Sequence, residues 1–375
     1  MPERTPQRIA LLIDSLARGG AERQCLLAAR QLAARGLQVD LIYYHEVEDR
    51  YDASLAGDAR LDFLEKRRQY GRFILRLANR LRRGRYDVLH AFKGSAAIYT
   101  AFAGSLARIP VIVGAYRVEF RGTGVYRQVL KQADRFLDAW VENSAASAQA
   151  LQNRLGVRRD KCFVVYNGIE PTSFVSSLTP AEAKQRLQYS LDTPVVSILA
   201  RLREQKNHQM FLHVAQQTRD QLPNTRFLVV GDGPLEDALR KQATQLGISD
   251  RVDFIGSRQD IADILAATDV SVLTSEYEGL ANAMVESMAA GVSVVTTDYD
   301  GHDEVVEDAV EGYVVPRGNV VQMADRLTRL INDEALRTEM GQRGRARVER
   351  QFGLEAMTDA LVDVYHQLWT RRRSS

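Results

Sequence analysis

Residues 8–36 read RIALLIDSLARGGAERQCLLAARQLAARG, and this stretch decides the class of fold. Its first seven residues, Arg8–Asp14, are mostly apolar, which is typical of a buried strand. Gly19 and Gly20 interrupt the pattern, and Ala21–Ala34 then carries apolar residues at helical spacing until a glycine ends it. A buried strand, a glycine turn and an amphipathic helix form the first half of a βαβ unit.

The alternation of strand and helix continues along the chain in two series. In the first series, further strands are predicted at residues 38–44, 88–92, 111–115, 139–142 and 162–166. In the second series, strands are predicted at residues 195–200, 226–231, 252–255, 270–274, 293–297 and 312–315. Because strands that alternate with helices form parallel sheets, we predict an α/β chain with two doubly wound domains. We place these domains at 1–170 and 171–354, with a hinge within 167–182 and a final helix at about 355–375.

The composition is that of a folded protein without a membrane-spanning segment. Hydrophobic residues make up 45% of the 375 residues and charged residues 26%, which is normal for a soluble globular chain. Two cysteines cannot supply a disulfide framework and fit a reducing compartment. The apolar run 9–13 is too short for a signal peptide, and no stretch reaches the ~20 apolar residues of a transmembrane helix. We therefore expect a cytoplasmic protein.

The net charge of +2 is the sum of two opposite halves. Residues 1–170 contain 28 basic and 18 acidic residues, a net charge of +10, whereas residues 171–375 contain 22 basic and 30 acidic residues, a net charge of −8. A basic half indicates an anionic partner. Nucleic acid, an anionic membrane and a phosphorylated substrate all fit at this point.

Two glycine turns follow predicted strands, but neither is a dinucleotide-binding fingerprint. Gly19-Gly20 lacks the G-x-G-x-x-G spacing, and Gly231-Asp-Gly-Pro234 lacks a third glycine. Glycine lets a ligand approach the backbone, and the N-terminus of the following helix favours anions. An ordinary turn from strand to helix is the alternative at both positions.

Two pairs of charged residues also follow strands of the second domain, where such sheets bind ligands. Arg201 and Lys206 follow one strand and could clamp a diphosphate, or simply form a solvated loop. Glu278 follows another strand, and a helix is expected to start near Gly279 with free N–H groups. Glu286 would then lie about 12 Å further along that helix, too far for a glycosidase pair but suited to the two ends of one ligand. Two surface glutamates are the alternative.

The ordered set of motifs resembles the retaining glycosyltransferases of family 4. The family pattern is a glycine-rich first loop, an Asn-Gly turn near the hinge, Arg-x4-Lys, Gly-x-Gly-Pro and Glu-x7-Glu. This chain shows that order over nearly its whole length, with Gly19-Gly20-Ala-Glu22, Asn167-Gly168-Ile-Glu170, Arg201 with Lys206, Gly231-Asp-Gly-Pro234, and Glu278 with Glu286. The resemblance implies the GT-B fold, in which two Rossmann-like domains face each other across a cleft, the first binding the acceptor and the second the nucleotide sugar. It also implies that the C-terminal helix packs back on the first domain.

The resemblance assigns a role to each matching residue. Arg201 and Lys206 would bind and stabilise the departing diphosphate, Glu278 would hold hydroxyls of the donor sugar, and Glu286 would hold the ribose. The other implied donor contacts are backbone or border positions, namely Gly19, Gly20, Gly256, Arg258, Gly279, Leu280 and Ala281.

One loop departs from the family pattern near the donor sugar. Many relatives have a histidine after the fourth strand of the first domain, where this chain reads Ala115-Tyr116-Arg117. We expect Arg117 to take over that contact. His90 ends the preceding predicted strand and is either a catalytic contact or a structural histidine.

The implied reaction is the transfer of a hexose or N-acetylhexosamine, with retention of configuration, from a nucleotide-diphosphate sugar, with a UDP-sugar favoured. The acceptor would be a lipid-linked molecule or a saccharide in cell-surface polysaccharide or lipopolysaccharide synthesis, and a soluble small molecule is the alternative. No Asp-x-Asp triplet or His/Cys cluster is present, so we expect no metal and no other cofactor. A nucleic-acid-binding protein and a Rossmann oxidoreductase are disfavoured, because no recognition module and no third glycine are found.

The basic stretch 66–85 has nine Lys or Arg and no Asp or Glu. Its apolar residues fall on one helical face and its arginines on the other, as in a helix that lies on anionic lipid. A core-packed helix with a solvated basic face is the alternative. The sequence therefore predicts a membrane or acceptor surface, and a protein bound peripherally to the inner face of the plasma membrane, through Arg67, Arg68, Arg72, Arg76, Arg80 and Arg83.

Overall fold

The structure is a computed structural model that describes residues 5–67, 69–117 and 123–374, and the chain divides into two compact units. The N-terminal unit comprises Met1–Gly168 and Leu354–Ser375, and the C-terminal unit comprises Ile169–Gly353. The chain therefore passes from one unit to the other twice. The domain limits predicted at 170 and 354 fall within two residues of these two points.

The N-terminal unit contains one parallel sheet with helices on both faces. Its strands are β1 Arg8–Ile13, β2 Gln38–Tyr43, β3 Arg60–Phe63, β4 Val88–Ala91, β5 Val111–Gly114, β6 Ala139–Glu142 and β7 Cys162–Val164. Its helices are α1 Gly20–Ala34, α2 Tyr70–Gly84, α3 Gly94–Ala107, α4 Gly124–Asp134, α5 Ala145–Leu155 and α13 Leu354–Ser374. The strand order is β3-β2-β1-β4-β5-β6-β7, and Leu11 of β1 pairs with Leu41 of β2 and His90 of β4.

Alternation along β1 explains why both faces of this sheet are covered. Ile9, Leu11 and Ile13 pack with α1 and α13, whereas Ala10 and Leu12 pack with α2 and α3. Since every one of these side chains is buried, β1 has no polar face, which is typical of a central parallel strand.

The C-terminal unit repeats this architecture. Its strands are β8 Val195–Leu199, β9 Arg226–Val230, β10 Val252–Phe254, β11 Val270–Leu273, β12 Ser293–Thr297 and β13 Gly312–Val315. Its helices are α6 Pro180–Arg186, α7 His208–Gln217, α8 Glu236–Gln245, α9 Ile261–Ala267, α10 Asn282–Ala289, α11 Val320–Asn332 and α12 Glu334–Gln351. All its strands are parallel, in the order β10-β9-β8-β11-β12-β13.

Strand β3 was not predicted from the sequence. It reads Arg60-Leu-Asp-Phe63 at the edge of the sheet and is only partly buried, so no apolar run marks it. All the predicted strands are present, and most end one residue earlier than expected.

The strand orders locate one ligand-binding edge in each unit. In the N-terminal unit the order reverses between β1 and β4, and in the C-terminal unit it reverses between β8 and β11. Doubly wound sheets bind ligands outside the carboxyl ends of the strands at this switch point. The fold therefore predicts ligand contacts in the loops after these four strands.

Candidate active site

The loops after β8 and β11 are tied together at the switch point of the C-terminal unit. Thr274 Oγ1 donates to the carbonyl oxygen of Lys206 at 2.8 Å, and the Glu276 N–H donates to the carbonyl oxygen of Gln205 at 2.9 Å. Asn207, with φ +45°, then turns the chain into α7 and caps it by accepting the N–H of Met210 at 3.2 Å. These bonds hold Lys206 beside the segment that carries Glu278.

Lys206 and Glu278 form an ion pair across the two loops. The Lys206 Nζ lies 2.5 Å from Glu278 Oε1, and the Glu278 side chain is only 7% exposed. Ser275 Oγ donates to the same carboxylate oxygen at 2.6 Å, and Gln205 Nε2 approaches the other oxygen at 3.4 Å. The sequence predicted separate contacts for these two charges and did not predict their contact with each other.

The segment after Glu278 presents backbone donors without acceptors. The N–H groups of Gly279, Leu280 and Ala281 have no hydrogen-bond acceptor among the described residues, and Leu280 and Ala281 are 6% and 2% exposed. Three successive N–H groups without an acceptor among the described residues are available to donate to a ligand. Beside a lysine, that ligand is expected to be an anion.

Helix α10 begins at Asn282, so the expectation of a helix from Gly279 was wrong. The first hydrogen bonds of α10 are accepted by the Ala281 carbonyl oxygen. The loop that leaves β11 therefore includes Glu278 and continues to Ala281. The predicted 12 Å separation of the two glutamates assumed a continuous helix and therefore does not apply. Glu286 lies half-buried on α10, one turn after its start.

Arg201 lies on the β8 loop, and the Gly231–Pro234 turn after β9 packs directly against that loop. The Leu202 N–H donates to the carbonyl oxygen of Asp232 at 2.8 Å, and Arg201 Nη2 lies 3.6 Å from Asp232 Oδ1. A Cβ on Gly231, whose φ is +143°, would lie 2.1 Å from the Ala200 carbonyl oxygen. These glycines allow two backbones to approach each other, which sets the position of the arginine loop.

The two residues predicted to border the nucleobase lie at the carboxyl end of β10. Gly256 accepts the Gly231 N–H at 2.8 Å through its carbonyl oxygen. The Arg258 guanidinium forms two hydrogen bonds to the carboxylate of Asp260, at 2.8 and 2.6 Å. Asp260 therefore compensates the charge of Arg258.

At the switch point of the N-terminal unit, the glycine loop lies against a carboxylate. Gly19 is the N-cap of α1, and a Cβ on it would lie 2.5 Å from Glu22 Oε2. Lys93, after β4, contacts Glu22 and lies 3.0 Å from Asp14, after β1. Two carboxylates and one ammonium surround the Gly19-Gly20 loop. A phosphate is therefore favoured less at this loop than beside Lys206 and Arg201. The Gly-Gly-Ala-Glu order was the sequence signal that pointed to Glu22.

Of the two roles that the sequence left open for His90, the structure favours the structural histidine over the catalytic contact. Its side chain is fully buried, and its Nδ1 lies 2.7 Å from Tyr365 Oη on α13. Burial and the nearby charge of Arg117 hold the pKa of His90 well below its usual value. A neutral imidazole covered by α13 has no access to a sugar.

Arg117 is turned into the N-terminal unit rather than toward a ligand. Its guanidinium lies 4.2 Å from the Phe92 ring and donates to Asn167 Oδ1 at 3.2 Å, and the residue is 6% exposed. The carboxylate of Glu142 accepts the N–H groups of Tyr116 and Arg117, both at 2.7 Å, which supports the positive φ of Arg117. Burial raises the pKa of Glu142 to about 7. The sequence did not single out Glu142, because it closes an otherwise apolar strand.

Helix α2 buries its apolar face, so a helix that inserts this face into lipid is excluded. Phe73, Leu77, Ala78 and Leu81 are core residues. The prediction that Arg80 belongs to the membrane or acceptor surface is wrong, because its Nε donates to Asp62 Oδ2 at 2.6 Å and the pair is partly buried. Arg72, Arg76 and Arg83 are exposed, Arg67 pairs with Glu65, and Arg68 lies outside the described residues.

No helix within residues 5–67, 69–117 and 123–374 is long and apolar enough to cross a membrane. No group of three or more His, Cys, Asp or Glu side chains within these ranges is placed to hold a metal ion.

Comparison with known proteins defines the class of protein. Residues 181–347 match the family Glycosyl transferases group 1, and residues 18–173 match Glycosyltransferase Family 4. The chain is 30% identical over 349 residues to the lipopolysaccharide core biosynthesis glycosyltransferase LpsE of Rhizobium meliloti (strain 1021), covering 92% of this chain and 95% of LpsE. It is 24% identical over 304 residues to the UDP-Gal:alpha-D-GlcNAc-diphosphoundecaprenol alpha-1,3-galactosyltransferase of Escherichia coli, covering 78% of each.

A solved structure supports the same class. HepE of Anabaena in complex with UDP matches with a TM-score of 0.85 at 23% identity, covering 95% of this chain and 99% of HepE. The two doubly wound parallel sheets are thus those of a GT-B glycosyltransferase. The chain belongs to glycosyltransferase family 4, and the predicted family and fold are confirmed.

Proposed function

We propose that this glycosyltransferase moves a hexose or N-acetylhexosamine, with retention, from a nucleotide-diphosphate sugar to a lipid-linked or saccharide acceptor in lipopolysaccharide or polysaccharide synthesis. The observation that carries the proposal is the Lys206–Glu278 pair, followed directly in the chain by the N–H groups of Gly279–Ala281, which have no acceptor in the described part of the chain. Backbone donors and an ammonium at one sheet edge suit a phosphate and its neighbouring sugar. The UDP bound to HepE, and the acceptor named for the E. coli relative, favour a UDP-sugar and a lipid-linked acceptor.

The chemistry follows from the charges at the switch point of the C-terminal unit. As the bond between the anomeric carbon and the diphosphate breaks, Lys206 and Arg201 stabilise the negative charge on the leaving group. Glu278 accepts hydrogen bonds from hydroxyls of the sugar, and Glu286 accepts them from the ribose. The acceptor oxygen bonds to the anomeric carbon from the same face, and its proton passes to a departing phosphate oxygen. Gly256 and Arg258 border the nucleobase.

Donor identity is tested by a panel of nucleotide sugars. Thermal-shift and hydrolysis assays are expected to show stabilisation and turnover with one UDP-sugar, and NMR of the product is expected to show the anomeric configuration of the donor. Because the leaving group is stabilised by side chains, EDTA is expected to leave the rate unchanged. A requirement for GDP-sugars would contradict the UDP-sugar donor, and an inverted product would contradict retention. Loss of activity in EDTA would contradict a reaction that needs no metal.

A peripheral position at an anionic membrane is a second part of the proposal. The exposed arginines of α2 and the net charge of +10 over residues 1–170 support it. Each cation near such a surface contributes about 1 kcal/mol, and salt screens it. The protein is expected to sediment with vesicles of 30% phosphatidylglycerol in 50 mM NaCl and to be released in 0.5 M NaCl. Absence of binding at low salt would favour the alternative of a soluble small-molecule acceptor.

A further inference from the structure

A basic pocket lies at the start of α2. A cavity of about 390 Å³ is lined by Arg67, Gln69, Arg72, Phe73 and Arg76. The last four are spaced so that they share one face of the helix. Phe73 also belongs to the apolar face that joins the core, whereas Gln69, Arg72 and Arg76 are exposed beside it.

The arginines of this pocket keep most of their positive charge uncompensated. Arg72 Nη1 donates to the neutral amide oxygen of Gln69 at 2.9 Å, and Arg76 Nη1 donates to a backbone carbonyl oxygen at 3.2 Å. Arg67 alone of the three meets a carboxylate among the described residues, that of Glu65 at 2.9 Å. The pocket therefore carries a net charge of about two positive units, calculated from these partners.

Lys66 is a fourth cation, next to Arg67 in the chain but outside the lining of the cavity, and its ammonium lies over tyrosine rings. Its Nζ lies 5.7, 4.9 and 5.1 Å from the ring centres of Tyr44, Tyr70 and Tyr99, and no carboxylate among the described residues pairs with it. The Phe73 ring, which lines the pocket, lies 5.3 Å from Tyr44 and 5.0 Å from Tyr99. The rings stabilise the ammonium without neutralising it, so it stays available for an anion.

The pocket lies on the ligand-binding edge of its sheet. Residues 64–69 connect the carboxyl end of β3 to α2, and the carboxyl ends of parallel strands meet at one edge. Tyr44 follows β2 on the same edge and contacts Ser95 at the start of α3, 3.4 Å between hydroxyl oxygens. The four cations are therefore at the edge that carries the switch point between β1 and β4.

We infer that Lys66, Arg72 and Arg76 bind a phosphate group of the acceptor, so that the acceptor is a phosphate or diphosphate ester and not a neutral saccharide. Planar guanidinium groups and a lysine ammonium are the groups that proteins use for phosphate oxygens. The inference rests on the proposed function, since it names the acceptor of that reaction. The phosphate can belong to a prenyl diphosphate or to a phosphorylated saccharide.

Direct binding is measured with inorganic phosphate and the full chain saturated with UDP, which occupies the donor site. The ³¹P line of free phosphate is expected to broaden with wild type and with Arg159→Gln, a control that removes one exposed arginine outside the pocket. Broadening is expected to fall at least fivefold in Arg72→Gln/Arg76→Gln and in Lys66→Met. Equal broadening in all four proteins would overturn the inference.

The source of the phosphate is separated in two further arms. In the first arm, binding is compared between phosphatidylcholine vesicles that carry a long-chain prenyl diphosphate and phosphatidylglycerol vesicles of equal charge. In the second arm, glucose 1-phosphate and glucose are compared as competitors of phosphate. Preference for the prenyl diphosphate, lost in the double variant, indicates a lipid-linked ester, and competition by glucose 1-phosphate alone indicates a phosphorylated saccharide. Equal loss of binding to both vesicles, without competition, would show a general anionic surface and overturn the inference.

Failure of the proposed function is distinguished by donor hydrolysis. The pocket variants are expected to hydrolyse the UDP-sugar at the wild-type rate, because none of the residues assigned to the donor lines the pocket. If wild type hydrolyses no nucleotide sugar but binds phosphate in the pocket, the donor proposal fails while the pocket stands. If wild type hydrolyses the nucleotide sugar normally and the pocket binds no phosphate, the pocket inference fails while the donor proposal stands.

Discussion

Lys206→Ala is expected to lower kcat for sugar transfer by about 100-fold to 1,000-fold, the range observed when a group that stabilises developing negative charge is removed. In the structure the Lys206 ammonium lies 2.5 Å from Glu278, which directly precedes the three N–H groups that lack an acceptor among the residues described. Its loss removes a positive charge where the diphosphate departs. Steady-state kinetics with the donor found in the panel measure the effect.

The same substitution is also expected to destabilise the C-terminal unit, because it leaves the Glu278 carboxylate, 7% exposed, without its cation. A double variant, Lys206→Met/Glu278→Gln, separates the two effects. It removes both charges, so the free energy of unfolding is expected to recover while transfer stays low. Recovery of transfer together with stability would contradict a catalytic role.

Lys184→Ala is the matched control for this prediction. Lys184 pairs with Asp269 at 2.9 Å, with side chains 10% and 18% exposed, away from the loops after β8 and β11. Loss of this pair is expected to lower the free energy of unfolding while kcat per folded molecule stays near wild type. An equal loss of kcat in the control would mean that stability, not leaving-group chemistry, explains the effect of Lys206.

Gly231→Ala is expected to destabilise the C-terminal unit by several kcal/mol, on the order of 3, and to abolish donor binding. The added Cβ would lie 2.1 Å from the Ala200 carbonyl oxygen, a backbone atom that cannot move without shifting the Arg201 loop. The φ of +143° adds strain for any residue with a Cβ. Urea unfolding and UDP titration measure the two losses.

Gly318→Ala separates strain from collision. Gly318 has a φ of +76° but no atom within 4 Å of a built Cβ, so only the backbone penalty of about 1 kcal/mol is expected there, with donor binding unchanged. Equal destabilisation by both substitutions would show that the approach of the two loops is not what requires Gly231.

The fold was largely predictable because its strands are buried on both faces. A central parallel strand such as β1 is a continuous apolar run, and runs of mostly apolar or β-branched residues marked every strand except β3. The edge strand β3 shares its polar composition with loops, so only its pairing with β2 reveals it. Helix α10 starts later than predicted because the path of the loop, and not the local sequence, decides where the first helical bonds form.

The sites were predictable to the extent that loops after strands can be recognised. Arg201, Lys206 and Glu278 were selected because each follows an apolar run, and they do lie at the switch point between β8 and β11. Arg80 was misjudged because its partner Asp62 lies on β3, the strand that the sequence does not show. The role of His90 stayed open in the sequence because Tyr365, which contacts it, lies 275 residues away.

The amino-acid sequence by itself determined two doubly wound domains, the family and the loops that carry the charged residues. These depend on local patterns, namely apolar runs, glycine turns and the order of motifs. Only the tertiary structure decided which charges meet, since ion pairs such as Lys206 with Glu278 join loops 72 residues apart. It likewise decided which basic residues of 66–85 are neutralised and which surround an open pocket, because a charge is compensated by its neighbours in space and not by its neighbours in the chain.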